Sequence, residues 1–383
     1  MVHHHLRPSP DDFLSLGRFF FFFRFNFVFT KQIAPNLHSS KHQIQSLQDP
    51  TMASSYPNAN PIFIAADSIH ALLSHQSLIR HFRSTLSSSV HTPLRHSHPL
   101  SAASASLLLM PSWSSHPSLP YIGVKLVTHF PGNSSALNLP GVHAVFVLFS
   151  SLTGQPLATA DATVLTLYRT ACVSGLASEL LSRTDSKVLV MVGSGSLAPH
   201  LIRAHLAARP GIERVIIWNR SPQKAAALAA KMSEDEGLRA VRFDSGEILD
   251  EIVGLGDIVS CATNSEEPLV RGERLKAGAH LDLVGSFKET MRECDDAALG
   301  RAGRVFVDCA AAFVEAGELV GAAERGVAVE RGGELAELAG GARPGRRSEE
   351  EVTVFKSVGS AVVDLLAAQL VYEEYVKRSG GSL

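Results

Sequence analysis

An α/β protein in two parts is predicted by three features of the sequence. Between residues 187 and 310, short β-branched runs alternate with Ala/Leu-rich stretches, the rhythm of a parallel sheet covered by helices on both faces. Residues 61 to 161 instead carry strand-like runs broken by Pro/Gly/Ser turns, which suits antiparallel sheet. Third, "VLVMVGSGSLAPHL" (188–201) passes from an apolar strand-like run through small residues toward a helix.

A chain of 383 residues is long for one core and suits two domains plus a tail. Its net charge of -2 argues against a nucleic-acid partner, because such binding is driven by clustered positive charge. The four cysteines, Cys172, Cys261, Cys294 and Cys309, form no C-x-x-C pair. They signal neither a disulfide framework nor a zinc site, and a reducing compartment follows. His91, His96 and His98 in "HTPLRHSHPL" lack i, i+4 spacing and companion carboxylates, so they read as a polar loop and no metal is expected.

Residues 1–55 are a different material. They hold nine of the 19 phenylalanines, mostly in "RFFFFFRFNFVF", where Arg18 and Arg24 interrupt a run too short for a stable membrane span. Five Lys/Arg against three acids in residues 1–51 fit a transit segment, which implies a plastid, although Asp11 and Asp12 do not suit one. The other reading is a working start at Met52, which implies the cytoplasm. Either way this leader lies outside the fold.

From Pro61, "PIFIAADSIHALLSHQSLIRHFRSTL" reads as a strand and then an amphipathic helix. "ASLLLMPSW", "YIGVKLVTHF" and "HAVFVLFSSLTGQPLATAD" read as strands, with a hairpin at Thr153-Gly154. Residues 161–183 read as a helix with Asp161 near its start and Leu165, Cys172, Leu176 and Leu180 near one face. After the β/α region and the linker "GGARPGRRSEEEV", a last helix, "FKSVGSAVVDLLAAQLVYEEYV", is expected to return to the first domain. The predicted division is 56–178 with 353–383 as an α+β substrate-binding and dimerisation domain, and 179–352 as a dinucleotide-binding domain of the Rossmann type.

That assignment rests on the glycine turn. A phosphate-binding turn must let backbone approach oxygen and aim free N–H groups from a helix start. Gly193-x-Gly195-x-x-Ala198 supplies a tight turn, a close approach and a small residue for helix packing. Gly193, Ser194, Gly195, Ser196 and Leu197 are therefore expected to hold the phosphates of a dinucleotide. At the end of the next strand an NAD site usually places an acid, but here stand Asn219, Arg220 and Ser221. A guanidinium and a hydroxyl can hold a 2'-phosphate that a carboxylate would repel, so NADPH is expected, with NADH weaker.

"YIGVKLVTHFPGN", "ATADATVLTLYRTACVS", "VGSGSLAPHL", "WNRS", "HLDLVGSF", "MRECDD", "GELAELAGGARPGR" and "VFKSVGSAVVDLLAA" together resemble the ornithine cyclodeaminase/mu-crystallin family. The resemblance covers nearly everything after the leader and is closest to the plant, SAR-deficient-type branch of cyclic imine (dehydropipecolate) reductases. It implies that Arg95, Lys125 and Arg169 contact a substrate carboxylate, as paired cations can when they replace its water. It also implies that Cys261, Ala262, Thr263, Val284 and Gly285 line the cofactor's path and that Val358 and Gly359 approach the nicotinamide. Lys125 is the candidate for proton supply or electrostatic tuning. Asp161 either partners it or stabilises the start of its helix.

Where cyclodeaminases of this family carry a catalytic aspartate, this chain resembles them only up to Gly285-Ser286 and then reads Phe287, which cannot accept a proton. The resemblance therefore implies an NADPH-dependent ketimine reductase giving pipecolate or proline. The alternatives are an ornithine cyclodeaminase and an NADPH-regulated protein that binds a small thyroid-hormone-like ligand. A homodimer joined through the first domain is also implied.

Overall fold

The computed structural model describes residues 60–381 except 89, 101–104, 115, 134–136 and 138. The leader, and the targeting role read into it, lie outside the described residues. Ala59–Leu383 form one compact unit. Among the described residues, no helix is long and apolar enough to cross a membrane.

The first half is a six-stranded sheet: β1 (Ile62–Ile64), β2 (His96–Pro99), β3 (Ser106–Trp113), β4 (Tyr121–His129), β5 (Val142–Ser150) and β6 (Pro156–Asp161). Their order is β1-β6-β5-β4-β3-β2, antiparallel except for the parallel β1–β6 pair. The β5–β6 turn comes at Thr153-Gly154 as expected, with Gly154 at φ +74°, a conformation that costs glycine nothing. β2 corrects the reading of residues 96–99 as a loop. All four of its residues are exposed on an edge strand, so no apolar alternation marks it.

Three helices accompany this sheet: α1 (Ala66–Leu72), α2 (His75–Thr85) and α3 (Ala162–Leu181). Ser74 and Ser77 form a reciprocal capping box at the start of α2, which buries His75, Leu78, Ile79 and Phe82 along one face. Asp161 caps α3 by accepting from the Val164 N–H at 2.9 Å. α3 is buried almost all round because it runs through the middle of the unit. Gly175 allows its neighbours this close, since a Cβ there would sit 2.6 Å from Ile79 and 3.0 Å from the Ala204 carbonyl.

The second half is an eight-stranded sheet, parallel throughout: β7 (Val188–Val192), β8 (Arg214–Trp218), β9 (Arg242–Ser245), β10 (Ile258–Cys261), β11 (His280–Leu283), β12 (Arg304–Val307), β13 (Glu330–Glu334) and β14 (Thr353–Lys356). Between and beside them run α4 (Ala198–Ala208), α5 (Pro222–Ser233), α6 (Leu249–Val253), α7 (Asp296–Ala302), α8 (Ala312–Glu315) and α9 (Leu335–Ala339). Strand order is β13-β12-β14-β11-β10-β7-β8-β9, the doubly wound order with its reversal between β7 and β10. Leu189 and Met191 face one core and Val190 and Val192 the other, as a sheet covered on both faces requires.

The expected return to the first half at residue 353 is corrected by strand pairing. β14 lies between β11 and β12, so Phe355 and Lys356 are strand and not helix. "TVFK" is a β-branched and aromatic run, and Gly359 at φ +87° ends it. Only α10 (Ala361–Arg378) crosses back, burying Val363, Leu365, Leu366 and Val371 between the first sheet and α2 and α3.

Candidate active site

The strand ends at the β7/β10 reversal open into a cleft of about 420 Å³. Gly193, at φ +112°, makes the turn out of β7, and a Cβ on it would meet the Ala262 carbonyl at 2.5 Å. Gly195 has nothing within 4 Å of its would-be Cβ, so the space above it is open to a ligand. Ser196 and Leu197 then lead into α4, whose first residue, Ala198, is fully buried against the sheet. The turn thus fits a pyrophosphate: exposed backbone, no blocking side chain and a helix start behind it.

Asn219, Arg220 and Ser221 line the outer end of this cleft, and Lys224 joins them from the first turn of α5. The Ser221 hydroxyl makes no capping bond to α5, and among the residues lining this cleft there is no carboxylate. Lys224 was missed in the sequence because one lysine in a helix reads as solvated surface; its position three residues after Ser221 was the available signal.

Cys261 is wholly buried at the end of β10 and acts as packing, while Ala262 and Thr263 face the cleft. Val284 and Gly285 follow β11. Glu293 ties the two ends together, its carboxylate accepting from the N–H groups of Thr263 and Gly285, both at 2.7 Å. Asp308 does the same for the β14 loop. It accepts from the Gly359 N–H at 2.7 Å, from the Val358 N–H at 3.1 Å and from the Ser357 hydroxyl at 2.9 Å.

A second cleft of about 470 Å³ lies where Arg95 and Met110 of the first half face Cys309, Glu315 and Gly359 of the second. Met110 is the cross-strand partner of Lys125. Lys125 alternates in phase with Tyr121, Gly123 and Val127, so β4 points it inward. A buried ammonium requires a partner, and it has Asp364 of α10 at 2.7 Å. The same carboxylate stands 2.9 Å from Nε of Arg169 on α3. All three side chains are almost fully buried. The contacts are short without being well-aligned hydrogen bonds, which leaves donor capacity on both cations.

Burial first, and then the neighbouring Arg169, lower the Lys125 pKa from 10.5 to about 8; Asp364 opposes the shift. Arg95 stands apart, paired with Glu315 at 2.8 Å and donating to the Gly359 carbonyl at 3.4 Å. Gly359 lies between the cations, because a Cβ on it would come within 3.1 Å of the Arg169 guanidinium. Burial raises the Glu315 pKa, while Arg95 acts against the rise. Asp364 and Glu315 are the direct carboxylate partners of these three cations, and Glu334 also lines the second cleft.

Asp161 is not the partner of Lys125; it caps α3, and Asp364 holds the lysine. Phe287, four residues past β11, is 43% exposed, with the Lys288 ammonium 5.5 Å from its ring centre, and it brings no proton-accepting atom.

The profile of the ornithine cyclodeaminase/mu-crystallin family matches residues 65–379. The chain belongs to this family. Within it, the chain is 60% identical over 325 residues to Protein SAR DEFICIENT 4 of Arabidopsis thaliana, spanning 84% of this chain and 99% of that one. It is 37% identical over 318 residues to a Delta(1)-pyrroline-2-carboxylate reductase of Colwellia psychrerythraea, spanning 81% of this chain and 98% of that protein. Among solved structures of similar fold is the Delta(1)-pyrroline-2-carboxylate reductase of Thermococcus litoralis in complex with NADH and L-proline. It matches with a TM-score of 0.76 at 30% identity, covering 84% of this chain and 99% of that one. The Thermococcus litoralis reductase holds a nicotinamide dinucleotide, and the first cleft of this chain has the glycine turn and helix start that fit one.

Proposed function

We propose that this protein is an NADPH-dependent reductase of a cyclic ketimine carboxylate, Δ1-piperideine-2-carboxylate or Δ1-pyrroline-2-carboxylate, giving pipecolate or proline. The observation that carries this reading is the buried Lys125–Asp364–Arg169 cluster, which meets the dinucleotide-type sheet through Gly359. The relatives named above support the reaction class, since two of them are Delta(1)-pyrroline-2-carboxylate reductases.

Gly193 to Leu197 would hold the phosphates, Asn219, Arg220, Ser221 and Lys224 the 2'-phosphate, and Thr263, Gly285 and Val358 the nicotinamide end. The bound dinucleotide supplies a hydride. Arg95, Lys125 and Arg169 draw the substrate carboxylate out of water and fix the ring. Lys125, lowered to about 8, carries a proton it can release near neutral pH to the ring nitrogen. Asp364 orients both inner cations, and Phe287 supplies no base where the cyclodeaminases carry their aspartate.

NADPH consumption with each imine acid, run beside NADH, tests the reading; no turnover of either by folded protein would end it. Ammonia release from ornithine would put the cyclodeaminase reaction in its place. Saturable binding of a small anionic ligand without reduction would favour the binding-protein alternative.

We further propose a homodimer that covers the outer face of the first sheet. There Ile122, Val124 and Leu126 pair with Phe149, Val147 and Val145, and Val145 is 38% exposed. Elution as a monomer in size-exclusion chromatography would contradict it.

A further inference from the structure

Beneath the two strand ends at the inner side of the dinucleotide cleft lies a closed polar cluster that the reaction chemistry does not call for. Glu293, Glu318, Ser286 and Lys356 are all fully buried. Glu293 Oε1 accepts from the Thr263 N–H at 2.7 Å and from the Thr263 hydroxyl at 2.9 Å, while its Oε2 accepts from the Gly285 N–H at 2.7 Å. The Lys356 ammonium lies 4.0 Å from Oε2 and donates to the Ser286 hydroxyl, which donates in turn to Glu318. Glu318 closes the ring by accepting from the Glu293 N–H at 2.7 Å.

Fully burying two carboxylates and one ammonium costs far more than apolar packing of the same volume, so stability alone is a poor account of the cluster. What it achieves is geometric. Thr263 lies two residues past β10 and Gly285 two past β11, and one carboxylate fixes the spacing between them. The fit leaves no slack, since a Cβ on Gly285 would lie 2.1 Å from the Thr263 carbonyl and 2.5 Å from Glu293.

We infer that Glu293 is a positioning residue for the dinucleotide: it holds the β10 and β11 ends in their ligand-ready shape before the cofactor arrives. This rests on the dinucleotide reading above. Only a carboxylate accepts from both N–H groups, because a glutamine has one accepting oxygen and must turn its amide donors on the other.

The test compares wild type with Glu293→Gln by NADPH and NADH titration, steady-state kinetics and amide exchange. The expected outcome is dinucleotide affinity weakened about tenfold and kcat lowered with it, one lost charge-assisted bond being worth roughly that factor. KM for the imine acid should stay within about twofold, because its anchors belong to another cluster. Amides around 263 and 285 should exchange faster, while those of α3 stay unchanged. Should Glu293→Gln not fold, Glu293→Asp, which keeps the charge but is too short to reach both N–H groups, is read the same way. A folded variant with wild-type affinity and wild-type exchange would overturn the inference alone. Wild-type protein that binds no dinucleotide would overturn the reading beneath it as well.

Discussion

The ammonium of Lys125 and the carboxylate of Asp364 meet at 2.7 Å with side-chain exposures of 3% and 1%, joining the middle of the first sheet to the C-terminal helix. Under the proposed function this contact sets both the proton supply and the carboxylate anchor, so its chemistry can be tested from either side.

Lys125 should give kcat/KM an alkaline limb. Its charged form predominates below about 8 and is lost above it, so kcat/KM for the imine acid should fall as pH rises through that value. Lys125→Met should abolish the limb and cost about 100-fold or more in kcat/KM. For folding the sign is opposite. The unfolded chain keeps the proton up to lysine's ordinary value, so the penalty of the buried charge is full below about 8 and is relieved as pH rises beyond it. The stability gap between Lys125→Met and wild type should therefore shift in favour of wild type from pH 7 to pH 10. Urea melts at several pH values read both effects.

Asp364→Ala should leave two buried cations without their counterion. A loss of about 3–5 kcal/mol in unfolding free energy is expected. Lys125→Met combined with Asp364→Leu should recover part of it, because it removes one of the two stranded charges and leaves only Arg169 without its counterion. A double variant as unstable as Asp364→Ala alone would contradict this account.

The two glycines of the turn should separate. Gly195→Ala meets no protein atom, so its melting temperature should stay within about 2 °C of wild type while dinucleotide affinity falls about tenfold or more. Gly193→Ala is forced at φ +112° against the Ala262 carbonyl and should lose about 1–3 kcal/mol of stability. Thermal melts beside cofactor titrations distinguish them.

Arg220→Ser and Lys224→Ala should each lower the NADPH-over-NADH preference in kcat/KM by about tenfold, chiefly through KM for NADPH. If the cofactor ratio of the double variant equals that of wild type, the 2'-phosphate assignment is wrong.

The alternation of short apolar runs with Ala/Leu stretches and the Gly193–Ala198 turn made the dinucleotide-type half legible, because local patterns encode it. Lys125 could be placed inward from strand phase, but its partner could not. Asp364 sits in "AVVDLLAAQ", where one carboxylate among buried-type residues was the only hint of a distant cation. Glu293, Glu318 and Asp308 lie just outside or between strands and helices, and loop-like text hides burial. The place of β14 was illegible for another reason: a four-residue strand says that it will pair, not with which neighbours.

The position of β14 has a consequence for biosynthesis. While the polypeptide emerges from the ribosome, β11 and β12 have no link through the sheet until Thr353–Lys356 slots between them. The nascent nucleotide half therefore carries two open hydrogen-bonding edges until its closing strand has been translated, the kind of surface that recruits chaperones. α10 follows within a few residues and delivers Asp364, so the sheet and the Lys125–Asp364–Arg169 cluster are completed in one late event, and a stop codon ahead of Thr353 would leave neither.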